Sequence, residues 1–374
     1  MIRNHPEIRF EFGIHEQVLP SIRRLGGEVQ RTDISVVHSG ADHTPEGRQR
    51  KYVRDLRILG RELESRPEHP FVLFNLGMTH ADMDDHESTI GYLNRCVAVS
   101  AHDESHLRKA YALLVSSLGR CGKIDEACGS CRAGLEAFPG DPELQFRHGM
   151  LAHSLGRLQE SESAYLEVLQ PGDSDHFSSV DPGIVSYKAR HNLGLVYEAM
   201  ERLDLAEVQW RNANVNHLQY APSRRAMIDL LIRQARLQSA QIDIEQMLSD
   251  SSVRCDGLIL SGLVEEVRGN TEDAKRWLED AVNEYPDREE PIQALCRLLF
   301  EHEMLAEAEI AIERLLSQSP IDAAAYHNLG VVLERQGKRP AAVKALQRSL
   351  ELRPDESMTQ EQLDSVLSAQ TRPK

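Results

Sequence analysis

A small residue returns along this chain at a fixed interval. From Ala206 the step is constant, with Ala240, Ala274, Ala308 and Ala342 following at intervals of 34 residues, and Ala127 sits in a similar setting upstream. Four residues after each Ala comes a larger side chain: Cys131, Trp210, Ile244, Leu278, Ile312 and Leu346. Pro139, Pro286, Pro320 and Pro354 stand twelve residues beyond their Ala, and Gly194, Gly262 and Gly330 stand twelve before. Such a period fits two antiparallel helices per row. The small residues let the helices approach, and the large ones at helical spacing fill the gap between neighbouring pairs. Proline cannot continue a helix, so it closes each row. One pair cannot bury its apolar stripe, but a stack of pairs can.

This is the pattern of the tetratricopeptide repeat (TPR). The fold class it predicts is mainly α, a TPR α-α superhelix (solenoid), with a small α/β stub at the N-terminus. Eight rows are expected over 70–355, starting near 70, 108, 142, 187, 221, 255, 289 and 323. The first row carries four extra residues near Ser100–Ser105, and the third carries eleven, within 171–186. A charged amphipathic helix with Tyr52, Leu56, Leu59 and Leu63 on one face is expected over 48–65, within a linking and capping segment of 45–69. Residues 356–374 read as a capping helix and tail, with Leu363 and Leu367 four apart.

Lys and Arg number 43 against 59 Asp and Glu, a net charge of −16. That balance argues against nucleic acid, because phosphate binding needs a basic surface. No apolar run approaches the roughly 18–20 residues of a membrane span. The N-terminus lacks the basic-then-apolar order of a secretory signal, and six cysteines in 374 residues do not make a disulfide scaffold. A cytoplasmic setting is expected.

The helical period fails in the first 44 residues. Arg9–Phe12 and Ile34–Val37 read as short strands, and Pro20–Leu25 as a helix stopped by Gly26-Gly27. The run from His15 to Val29, then Ile34–Gly40, the charged helix and His69–Met83 resembles the junction in bacterial family 2 glycosyltransferases that carry a TPR tail. Ser105–Tyr111, His176–Asp181 and Ala189–Leu193 look like further hallmarks of that family. The resemblance implies that residues 1–44 are the end of a GT-A nucleotide-sugar domain. It implies that His15 and Glu16 lie at the rim of an acceptor site, with Glu16 as or beside the general base. It further implies that His38 completes metal coordination in an intact enzyme. Such an enzyme needs a nucleotide sugar, and a divalent metal held by an Asp-x-Asp pair, since hard cations take oxygen ligands. Asp82-Met83-Asp84 has that spacing but falls in the turn of the first row. No donor half is present in this chain, so neither cofactor is expected for it alone, and His15, Glu16 and His38 then read as ordinary polar residues.

The repeat suggests its own site. Asn75, Asn192 and Asn328 hold the sixth place of their rows, on first helices, which line the concave groove of such a solenoid. An Asn there can donate to and accept from a peptide backbone at once. The ladder is broken by Leu113, Arg147, Ala226, Leu260 and Ala294. Cys128-x-x-Cys131 falls inside a second helix, where core packing explains it better than redox chemistry or zinc. His80 and His86 flank a polar turn. The expected function is capture of a polypeptide in the groove by a module derived from a family 2 glycosyltransferase and inactive alone. The alternative is the acceptor-recruiting half of a working glycosyltransferase, with a glycosylation acceptor as partner.

Overall fold

A computed structural model describes residues 5–14, 18–27, 44–170, 181–215, 217 and 220–370. Among these residues there are nineteen α-helices and no strand. They fall into two compact units, 1–206 and 207–374.

The first unit opens with a short helix α1 (Leu19–Arg24) and a long one, α2 (Pro45–Ser65). Helical hairpins follow: α3 (Pro70–Asp82) with α4 (His86–Val99), α5 (Leu107–Arg120) with α6 (Ile124–Ala137), and α7 (Pro142–Ser154) with α8 (Leu158–Val168). A π-helical turn over Ile184–Lys188 leads into α9 (Ala189–Ala199), and α10 (Leu203–Asn214) crosses the division between the units. The second unit contains the pairs α11 (Ala221–Arg233) and α12 (Leu237–Leu248), α13 (Arg254–Val267) and α14 (Thr271–Glu284), α15 (Glu289–Glu301) and α16 (Leu305–Gln318), and α17 (Ala323–Arg335) and α18 (Arg339–Leu352). It ends in α19 (Ser357–Gln370). Each unit is therefore a stack of α-α hairpins, a TPR-like solenoid.

The small-to-large spacing in the sequence is a physical contact. A Cβ built on Gly330 would lie 2.6 Å from Leu346 Cγ and 3.3 Å from the carbonyl oxygen of Ala342, and one on Gly262 would lie 2.9 Å from Leu278 Cγ. The first helix thus presses its glycine against the Ala and the large residue of its partner. Two further rows make the same contact without the Ala. Gly77 faces Leu93 and Gly149 faces the Tyr165 ring, at 2.5 and 2.7 Å from a built Cβ. Buried Thr89 and Ser161 stand where the other rows have Ala, and each hydroxyl is satisfied by a backbone carbonyl, of Asp85 and Gly149 respectively. The large partners Leu93, Leu278 and Leu346 are at most 2% exposed, and each such burial contributes about 2 kcal/mol.

All eight first helices end the same way. The residue two places beyond the last helical one takes the left-handed conformation: Gly122, Gly156, Gly269 and Gly337 in four rows, Asp84, Glu201, Ala235 and Glu303 in the others. The next amide bonds back to a carbonyl five residues earlier, as in Arg236 to Leu231 and Lys338 to Leu333, both 2.8 Å. That bond satisfies an orphan carbonyl and reverses the chain.

The N-terminal stub is not α/β among the described residues. Arg9–Phe12 forms no strand beyond one bridge residue at Glu11; the N–H of Arg9 donates to Ser21 Oγ, and that hydroxyl donates to the carbonyl of Arg9. Phe12 has φ 71°, which no strand tolerates. Ile34–Val37 lies outside the described residues. The expected short helix forms as α1, and Gly26 follows it at φ 69°. In α19 the buried face is Thr359, Leu363 and Val366, while Leu367 is exposed.

At Ala235 the side chain is exposed and its left-handed φ of 57° costs an L-residue about 1 kcal/mol. Ala235→Gly is expected to raise the free energy of unfolding, read from a higher urea midpoint at unchanged slope, by about that amount; an unchanged or lower midpoint would count against the shared turn geometry.

Candidate functional site

The residues nominated from the sequence have different fates. His15, Glu16 and His38 lie outside the described residues. Asp82 closes α3, and Asp84 is the left-handed turn residue. His80 Nδ1 lies 2.9 Å from Asp85 Oδ2, and His86 Nε2 lies 3.8 Å from Asp84 Oδ1. These pairs fasten the turn. Among the described residues no three His, Cys, Asp or Glu side chains stand together as metal ligands. Cys131 is 2% exposed, and burial pushes its thiol up to about 12, which leaves it inert as a nucleophile at neutral pH. The C-x-x-C reading as core packing therefore agrees with its surroundings.

The three asparagines are in unlike environments. Asn75 is 1% exposed, with neither amide atom hydrogen-bonded. Asn192 donates from Nδ2 to Tyr165 Oη at 3.1 Å, tying α9 to the second helix of the preceding row. Asn328 is exposed and lines a cavity of about 100 Å³ with His327, Arg353, Glu356, Met358 and Thr359. His327 Nδ1 is 2.9 Å from Thr359 Oγ1 at its edge.

A charged cluster that periodicity did not single out joins α5, α7 and the turn before α9. Arg108 Nη1 donates to Asp141 Oδ2 at 3.0 Å and to Glu143 Oε2 at 3.3 Å. Lys109 Nζ and Arg147 Nη2 both donate to Glu143 Oε1, at 2.8 and 3.1 Å. Asp141 also caps α7, accepting from the Leu144 amide at 2.9 Å. Burial alone would raise the Glu143 carboxyl. The hydrogen bond and charge of Lys109, followed by Arg147 and Arg108, outweigh burial and hold it below the usual carboxylate range. Asp181 accepts from Lys188 Nζ at 2.5 Å and from the Gly183 amide, and the Lys109 charge adds to what holds its carboxyl low. Lys109 of α5 is thereby brought near Asp181 of the turn before α9.

A TPR family model matches residues 323–356, and a second matches 112–176. These segments are tetratricopeptide repeats. Solved structures with related helical repeats include a TPR protein from Parabacteroides merdae, 18% identical, covering 70% of this chain and 98% of its own, with a TM-score of 0.48. PilW, a type IV pilus biogenesis factor, is 18% identical over 60% of this chain and 97% of its own, with a TM-score of 0.49. YrrB, described as a TPR protein with an unusual peptide-binding site, is 19% identical over 46% of this chain and 89% of its own, at 0.33. No curated protein matches the chain. Among the described residues no helix is long and apolar enough to cross a membrane.

The TPR stack also buries histidines. His106 lies among Phe71, Phe74 and Ser100, with ring centroids 5.7 Å from Phe71 and 5.3 Å from Phe74. Burial, then the charge of His69, pushes it down to about 4. Glu104 Oε2 stands 3.5 Å from Nε2, too far for a well-formed hydrogen bond, so burial prevails. Burial likewise holds His191 at about 4. In the unfolded chain both would take a proton near 6.5, well before the folded protein does. Stability from these neutral histidines is complete above pH 6.5 and is lost as pH falls towards 4. For His106, whose side chain is 8% exposed, the full loss is on the order of 3 kcal/mol. Urea unfolding at pH 7 and pH 4.5 is expected to show a smaller drop for His106→Leu than for the wild type; equal drops would place the acid sensitivity elsewhere.

Proposed function

We propose that this chain is a protein–protein interaction module that binds an extended polypeptide along the first helices of its repeats. The observation that carries the reading is the division of labour within a row. Glycine, Ala and the large residue four places on are spent on hairpin packing and recur. The sixth residue of the row differs from row to row, from buried Asn75 and Leu260 through Leu113, Arg147, Asn192, Ala226 and Ala294 to exposed Asn328. A scaffold that holds its packing constant while varying one helix face is suited to reading a sequence of side chains and backbone amides. Asn328 is the exposed member with a cavity beside it, which supports a role in bonding a ligand backbone in both directions.

Peptides selected by display against the full chain are expected to lose at least about tenfold in affinity with Asn328→Trp, equivalent to ~1.4 kcal/mol. They are expected to be unaffected by Arg276→Trp, an exposed second-helix control. Equal effects of the two substitutions would refute groove recognition.

A second reading is that the module recruits the acceptor for a family 2 glycosyltransferase. The resemblance of the runs within 15–83, and of Ser105–Tyr111, His176–Asp181 and Ala189–Leu193, supports it. In that reading a nucleotide sugar and divalent metal belong to a catalytic half outside this chain. The purified chain is expected to turn over no UDP- or GDP-sugar, and turnover above background would overturn that assignment.

A further inference from the structure

Three consecutive residues of the N-terminal segment seat on the edge of the repeat stack. The Phe12 ring lies 4.7 Å from the Phe71 ring and 5.1 Å from the His69 ring, with the Arg66 guanidinium 5.4 Å from its centroid. The Gly13 amide donates to Glu62 Oε1 at 2.6 Å. A Cβ on Gly13 would meet Ile58 Cγ2 at 2.8 Å, so the seat accepts only glycine without rearrangement. Ile14 is buried in an apolar cluster with Leu59, Val72 and Leu76. By contrast Phe10, two residues before Phe12, is 70% exposed. The seat therefore reads aromatic, glycine, aliphatic along an N-terminal segment that forms no strand.

Two features show that the segment fits imperfectly. Phe12 is held at φ 71°, a conformation that L side chains avoid. Glu62 Oε2 is buried with no hydrogen-bond partner, although its sister oxygen is bonded to Gly13. A well-matched ligand would leave neither.

We propose that α2 and the start of α3 form a recognition site for an extended aromatic–Gly–aliphatic segment, and that Phe12–Ile14 is its resident, displaceable occupant. A partner polypeptide of the same chemistry takes the seat by supplying a second N–H to Glu62 without the backbone strain at its aromatic residue. The inference rests on the polypeptide-binding reading above and adds a defined site and sequence class to it.

The test uses the full chain and a fluorescein-labelled hexapeptide with the sequence of Arg9–Ile14. Weakening the resident segment raises the fraction of open sites, so Phe12→Ala is expected to bind the peptide about tenfold tighter than wild type. Adding Ile58→Trp, which fills the glycine seat, is expected to abolish that binding. Independently of any variant, the Gly13 amide in the wild type is expected to exchange hydrogen by local opening, faster than the Leu59 and Val72 amides. Equal peptide affinity for wild type and Phe12→Ala, or Gly13 exchange only through global unfolding, would overturn the proposal. In that event the display-selected peptides would still bind through Asn328 if the broader reading holds, so the two failures are distinguishable.

Discussion

The closest constraint in this molecule is the approach of a first helix to its partner at a glycine. Gly77, Gly149, Gly262 and Gly330 each leave no room for a Cβ against Leu93, Tyr165, Leu278 and Leu346. Because the backbones meet there, one large side chain can close the space between two helices and still reach the next row. The apolar clusters in each unit follow from this. In the first, Leu93 is grouped with Leu114, Cys131 and Leu151; in the second, Leu278 is grouped with Leu299, Ile312 and Val332. The left-handed turn sets the second requirement, since it brings the second helix back onto the glycine. Four rows meet it with glycine and four accept strain in Asp84, Glu201, Ala235 and Glu303. The packing thus tolerates an unfavourable turn residue.

Much of this is readable in the sequence, and the reasons for the rest are specific. The rows stepping by 34 residues reveal Gly262 and Gly330. The equivalents Gly77 and Gly149 lack the marker Ala twelve residues on, because Thr89 and Ser161 replace it, and their rows are lengthened. Strain at Ala235 or Glu303 is invisible, since neither residue announces a left-handed turn. In α19, Leu363 and Leu367 suggest one stripe. The helix packs against one side only, and that side selects Thr359, Leu363 and Val366.

The candidate sites were less legible. Arg108 and Glu143 are charged side chains, yet they are 4% and 2% exposed. Buried ions persist only when geometry and hydrogen bonds compensate for lost water, and partners 35 residues apart leave no periodic trace. The seat of Phe12 on Phe71 is likewise a contact between distant residues. Of the three asparagines expected in a groove, residue type alone could not separate the buried Asn75, the tyrosine-bound Asn192 and the exposed Asn328.

The first helices hold the stack together through their glycines, and α17 also leaves its Asn328 exposed. The central claim is the proposal that the first helices hold a polypeptide. Hydrogen–deuterium exchange of the full chain, with and without a saturating display-selected peptide, tests it most directly. Protection concentrated on the exposed faces of first helices, including α17 around Asn328, is the result expected. Protection confined to second helices such as α14 and α16, or none at saturation, would contradict it.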